Sequence, residues 1–186
     1  MVTLGMLWMP ILLSAVVVFI CSAIFWMVLP FHKSDFSKLP DEDVVRAAMN
    51  KHKLAAGQYM IPYCGDMKDM KEPAHLKKVE EGPVCTIVVR PSGHMNMGSS
   101  MAASIVYNIL IAVFVAYLAG RVLPVGAHYL AVFRVAGTAT ILAYCGALFY
   151  PSIWMGRPWS VTCKDFVDGV IYGLLTAGIF GWLWPR

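Results

Sequence analysis

The chain has 186 residues, of which 59% are hydrophobic and only 14% charged, against about 45–50% and about 25% in soluble domains. That excess excludes an ordinary water-soluble globule. The net charge of +4 comes from basic residues interleaved with almost as many acidic ones, which leaves no one-sign surface for nucleic acid.

The apolar residues gather into runs that approach the roughly 20 residues a bilayer-crossing helix needs. The first, residues 7–30, holds no Asp, Glu, Lys or Arg. No basic residue precedes it and no A-x-A cleavage pattern follows, so it reads as an anchor rather than a secretory signal.

A polar segment, residues 31–100, follows. Pro40 with Asp41, Glu42 and Asp43, then Lys51 and Lys53, mark a short amphipathic helix over residues 40–52 with charges matched to its dipole. "GQYMIPY" and "PVCTIVVRP" lean towards strands, and "EPAHLKKVEEG" opens with Pro73 and closes with Gly82 as a two-turn helix does. The segment is therefore expected to be an α-β-α-β cap with its two strands paired, and two strands alone are marginal without helices packed on them. Ser99 or Ser100 is the expected cap of the next helix.

Three further spans are expected at residues 101–120, 129–150 and 166–184, the third with Arg134 inside it and the fourth with Asp168 close to its start. Four spans put both termini on one side of the bilayer. The basic residues lean slightly towards a cytoplasmic cap, in a loop too long for that rule to decide. A Cys64–Cys85 disulfide would form only on an oxidising side.

Small residues recur at every fourth position in these spans: Ala112, Ala116 and Gly120; Ala139, Ala143 and Ala147; and Gly169, Gly173, Ala177 and Gly181. Such rows let helix backbones approach in lipid, where packing must supply the association. Trp8, Trp26, Trp154, Trp159, Trp182 and Trp184 fall near span ends, as an aromatic belt does.

Three groups are candidates for chemistry. Cys64, Met67, Met70, His94, Met95 and Met97 offer soft ligands that suit Cu(I), although Met also fills irregular gaps between loop and bilayer. Asn108, Arg134 and Asp168 could mark an ion or substrate path, since polar groups inside membranes are usually functional. Against that, Arg134 could snorkel to the interface and Asp168 could complement the first turn of its helix. "HKSD" at residues 32–35 has the composition of a catalytic cluster, but neighbours in sequence seldom converge as nucleophile and base. His32, His52, His75 and His128 read as solvated or interfacial. No P-loop, GxSxG, HExxH or dinucleotide fingerprint is present.

The segments "LPFHKSDFSKLPDED", "GQYMIPYC", "GPVCTIVVRPSG" leading into "MNMG", and "DGVIYGLLTAGIFGWLWP" resemble a loosely defined group of uncharacterised bacterial inner-membrane proteins with four helices. The resemblance implies a bacterial cell membrane and carries no activity or catalytic residue with it.

The expectation is thus an all-α integral membrane protein. Residues 1–30 form transmembrane helix 1, residues 31–100 a small α/β cap and residues 101–186 helices 2–4. It is expected to be non-enzymatic and without a cofactor, an accessory or assembly component whose partners are the lipid bilayer and another membrane protein or a second copy of itself. The alternative is a small transporter or a soft-metal-handling protein.

Overall fold

A computed structural model describes residues 2–94 and 96–186. The chain is mostly helical. Three of its helical stretches, Leu4–Val28, Met97–Val122 and Tyr129–Trp154, are long and apolar enough to cross a membrane, which supports a multi-pass membrane protein.

The chain divides into two compact units. The first comprises Met1–Asp35, Asn96–Tyr150 and Pro158–Arg186, and the second Phe36–Met95 with Pro151–Arg157. The helical unit is discontinuous in sequence, and the smaller unit takes up residues 151–157 together with residues 36–95.

In the helical unit, α1 (Trp8–Ala23) continues into a π-helical turn, Ile24–Val28. Helix α4 (Met97–Val122) is longer than its apolar run, because the cap is Asn96 rather than Ser99 or Ser100: its side chain accepts from the Ser99 amide at 3.1 Å. Asn is as good a cap as Ser, and here Ser99 instead donates its hydroxyl back to the Asn96 carbonyl at 2.8 Å. Helix α5 (Tyr129–Cys145) begins where His128 Nδ1 accepts from the Leu130 amide. Helix α6 (Tyr150–Trp154) follows in sequence, and all but its first residue belong to the smaller unit.

Helix α7 spans Trp159–Trp182 and starts seven residues before the expected fourth span. Pro158 precedes it, and the polar run Ser160 to Asp165 is helical although it is not apolar. Hydropathy marks where a helix meets lipid, whereas helix formation needs only its backbone bonds. With three charged residues, Lys164, Asp165 and Asp168, α7 does not show the apolar character of the other three.

The core lies towards the end where the N-terminal residues, the α4–α5 turn and the C-terminal residues meet. It joins Val2, Leu7 and Ile11 to Ile111, Val115 and Ala119 of α4, Val132 and Ala136 of α5, and Phe180 and Trp184. Trp184 is thus a core residue, 5% exposed, and not a belt residue. Its indole N–H donates to the Pro124 carbonyl at 2.9 Å.

The small-residue rows take different places. On α7, a side chain added at Gly169, Gly173 or Gly181 would strike Cys145, Ile141 or Tyr129 of α5, and Ala177 meets Gly137. On α4, Ala112 and Ala116 are buried, and Gly120 lies under the Val2 carbonyl oxygen, 2.8 Å from where a Cβ would sit. On α5 the face that meets α7 is Tyr129, Gly137, Ile141 and Cys145, not Ala139, Ala143 and Ala147. The two rows are offset by two residues, about 200° around the helix. Ala143 is exposed within α5, and Ala147 is exposed beyond its end.

The second unit holds α2 (Glu42–Lys51), β1 (Gly57–Ile61), α3 (Pro73–Glu81) and β2 (Cys85–Val89) in the expected order. The strands pair antiparallel, from Gly57 opposite Val89 to Ile61 opposite Cys85. The expected packing of helices on this sheet is not seen among the described residues. Neither α2 nor α3 buries a side chain, and Val44 and Val45 stay exposed.

Candidate functional site

A span must end in residues that water or protein can satisfy, and α1 ends in a folded-back turn. Leu29 is extended, Pro30–His32 forms a 3-10 turn, and the Asp35 amide donates to the His32 carbonyl. That turn puts the Asp35 carboxylate on the ring three residues before it: His32 Nδ1 and Asp35 Oδ2 are 2.5 Å apart. The other ring nitrogen, Nε2, is 2.9 Å from Oδ2 of Asp168, which α7 brings from 136 residues away.

Lys164 completes the set. It sits one helical turn before Asp168, on the same face of α7, and donates to Asp35 Oδ1 at 2.5 Å and to Ser34 Oγ at 2.8 Å. The Trp26 ring stacks on His32 at 4.1 Å and 4°, and Phe31 meets the imidazole edge-on while its face lies under Lys164. The side chains of His32, Asp35 and Asp168 are all nearly sealed from solvent.

Hydrogen-bond chemistry limits the states of this network. An imidazole donates from both nitrogens only as the cation, and in that form His32 and Lys164 balance Asp35 and Asp168 charge for charge. Asp168 is the least satisfied member. Its Oδ1 is buried with no hydrogen-bond partner among the described residues.

The Asp35 carboxyl is held below the usual carboxylate range, chiefly by the Lys164 hydrogen bond, with His32 adding to it and burial opposing it. A group whose folded pKa is lowered contributes stability above its ordinary value and loses it as pH falls through the folded one. The melting temperature is therefore expected to drop from about pH 5 downward. In Lys164→Met that acid limb should flatten, the variant being already weaker at neutral pH. A thermal melt series in detergent checks this, and an unchanged acid limb in Lys164→Met would count against it.

The expected sites are placed as follows. Asp168 belongs to this network, in the third turn of α7 rather than the first. His32 is buried rather than solvated, and of "HKSD" His32, Ser34 and Asp35 converge on one place. Asn108 lies apart from them, its Oδ1 accepting from the Tyr144 hydroxyl at 2.9 Å. Arg134 is exposed on α5. No hydrogen bond among the described residues joins Asn108 or Arg134 to Asp168.

Of the soft-ligand set, Cys64 donates to the Asp66 carbonyl, and Met67, Met70 and His94 are exposed in the smaller unit. Met97 opens α4 in the helical unit, and Met95 lies outside the described residues. No group of three His, Cys, Asp or Glu converges as a metal site among the described residues, and all five cysteines are free thiols.

Sequence reasoning missed Lys164 and Trp26. The signal for Lys164 was its spacing of four from Asp168, legible once the helix is started at Pro158. Trp26 carried no signal beyond its place near a span end. Comparison with known protein families, with characterised proteins and with solved structures finds no match.

Proposed function

We propose that the chain is a four-span component of the bacterial inner membrane that works by assembly, packing in the bilayer against a second copy or another membrane protein. Helix α7 serves as the fourth span. Its 24 residues reach about 36 Å at 1.5 Å per residue, beyond the roughly 30 Å of hydrocarbon. Its charges Lys164 and Asp168 are engaged inside the protein.

The observation that carries the assembly role is Ala143, the exposed member of the small-residue row within α5, whose Ala139 packs partly buried against the core. The rows of α4 and α7 are taken up inside the bundle, while Ala143 stays exposed beside Leu142, which is 66% exposed. Bulky exposed residues such as Leu110 and Phe114 on α4 are what lipid requires. A small residue among them leaves a track along which another helix can approach.

Ala143→Trp tests this reading. The variant is expected to keep its yield and melting temperature, because the position is exposed, and to elute as a smaller assembly than wild type in mild detergent. An unchanged assembly size, with the wild type itself a monomer, would remove the proposal.

A small transporter is the second reading, favoured by the buried Asp168 with an oxygen unpartnered among the described residues, since ionisable groups in membrane interiors commonly mark ion paths. Proton flux into proteoliposomes that is lost in Asp168→Asn would select it over assembly.

A further inference from the structure

Away from the core, α1 and α4 line an open groove of about 440 Å³, within the range of roughly 300–1,000 Å³ usual for small-molecule sites. Val18, Ser22 and Trp26 line it at four-residue spacing from the α1 side, and Ser100, Ser104 and Asn108 do so from α4. Each helix thus turns a single face to the gap. Tyr144 of α5 and Tyr172 of α7 form its floor.

The floor is rich in donors. Asn108 is buried, and its oxygen is already taken by the Tyr144 hydroxyl, so the group it has to offer is its amide N–H. Tyr172 is held by ring contacts with Phe25 and Tyr144, and its hydroxyl is a second donor. Around them stand the aromatic faces of Trp26 and Tyr107, while Met27 and Met101 line the groove towards the outside.

Both walls belong to stretches apolar enough to span a membrane, so an occupant enters from the hydrocarbon and must carry apolar bulk. A plain acyl chain would bury two donors without giving them an acceptor, which costs more than the chain's burial repays at those atoms. A flat ring bearing carbonyl oxygens meets the donors and the aromatic faces together.

We infer that this groove binds a lipid-dissolved, quinone-like amphiphile, its carbonyl oxygens accepting from Asn108 and Tyr172, its ring against Trp26 and Tyr107, and its apolar tail leaving past Met27 and Met101. The site is independent of the assembly reading, since no residue of the α5 track takes part in it.

The test uses the full chain in phosphatidylcholine nanodiscs titrated with decylubiquinone, read by quenching of tryptophan emission against empty discs carrying a tryptophan ester. Saturable binding at one site per chain is expected, weakened about tenfold in Tyr172→Phe, which keeps the ring and so the fold. Phe114→Ala, on the exposed side of α4, should bind as wild type does. Quenching that never saturates, a Tyr172→Phe variant with wild-type affinity, or equal displacement by a straight-chain fatty acid of the same tail length would each overturn the inference.

Discussion

Gly173→Leu is expected to abolish the folded bundle. A Cβ at this position would run into Cγ1 of Ile141 and lie 3.3 Å from its backbone nitrogen, so even the first added carbon forces α5 and α7 apart. Overpacking in a core usually costs about 1–3 kcal/mol because neighbours shift to new rotamers. Here the obstacle includes main chain, and leucine adds three further carbons beyond the first. The cost should therefore exceed that range and consume much of a stability of roughly 5–15 kcal/mol. The contrast lies on the same helix: at Gly178 an added Cβ would meet only the Tyr129 hydroxyl, at 3.7 Å. Gly178→Ala should purify like wild type, while Gly173→Leu gives little monodisperse protein in mild detergent. Equal yields and melting temperatures for the two would show that α5 and α7 do not pack this way.

His32→Ala should have the second largest effect, a loss of about 3–5 kcal/mol, as when one partner of a buried ion pair is removed. The variant leaves Asp168 buried with neither oxygen bonded to the ring, and it strips Trp26 of the surface it stacks on. A melting series separates this from a simple cavity. If the cost is mainly that of a stranded charge, Asp168→Leu combined with His32→Leu should be more stable than either single change implies, with a coupling of about 0.5–3 kcal/mol. Strict additivity of the two would mean that the pair contributes through packing alone.

Much of the architecture could be read along the chain because its signals are local. The two strands, the helices around Val44 and Leu76, and the three apolar spans all lie where periodicity and Pro or Gly punctuation put them. What failed were the inferences that used hydropathy as a proxy for helix. Starting the last helix at Phe166 rather than Trp159 placed Asp168 in a first turn and left Lys164 in a loop, which hid that these two charges share a face. The α5 row turns away from α7 for a different reason. Alanines at four-residue spacing occupy one face, yet Gly137, Ile141 and Cys145 make an equally regular row on the opposite face, and only the partner helix decides between them. The His32 network was illegible in principle, since nothing local announces which carboxylate 136 residues away will meet a ring nitrogen.

That separation has a consequence in time. A ribosome adds roughly 5–20 residues per second, so the 136 residues between His32 and Asp168 take roughly 7–27 seconds to emerge. Throughout that interval the first helix is already made, and the turn that closes it holds a histidine and a carboxylate whose lysine and second carboxylate do not yet exist. Until α7 is made, this half-built cluster lacks Lys164 and Asp168, and α1, which packs on both α4 and α7, has only part of its final contacts. The turn that closes α1 thus gains its ion-pair partners only with α7, after α4 has already supplied the same helix with its other neighbour.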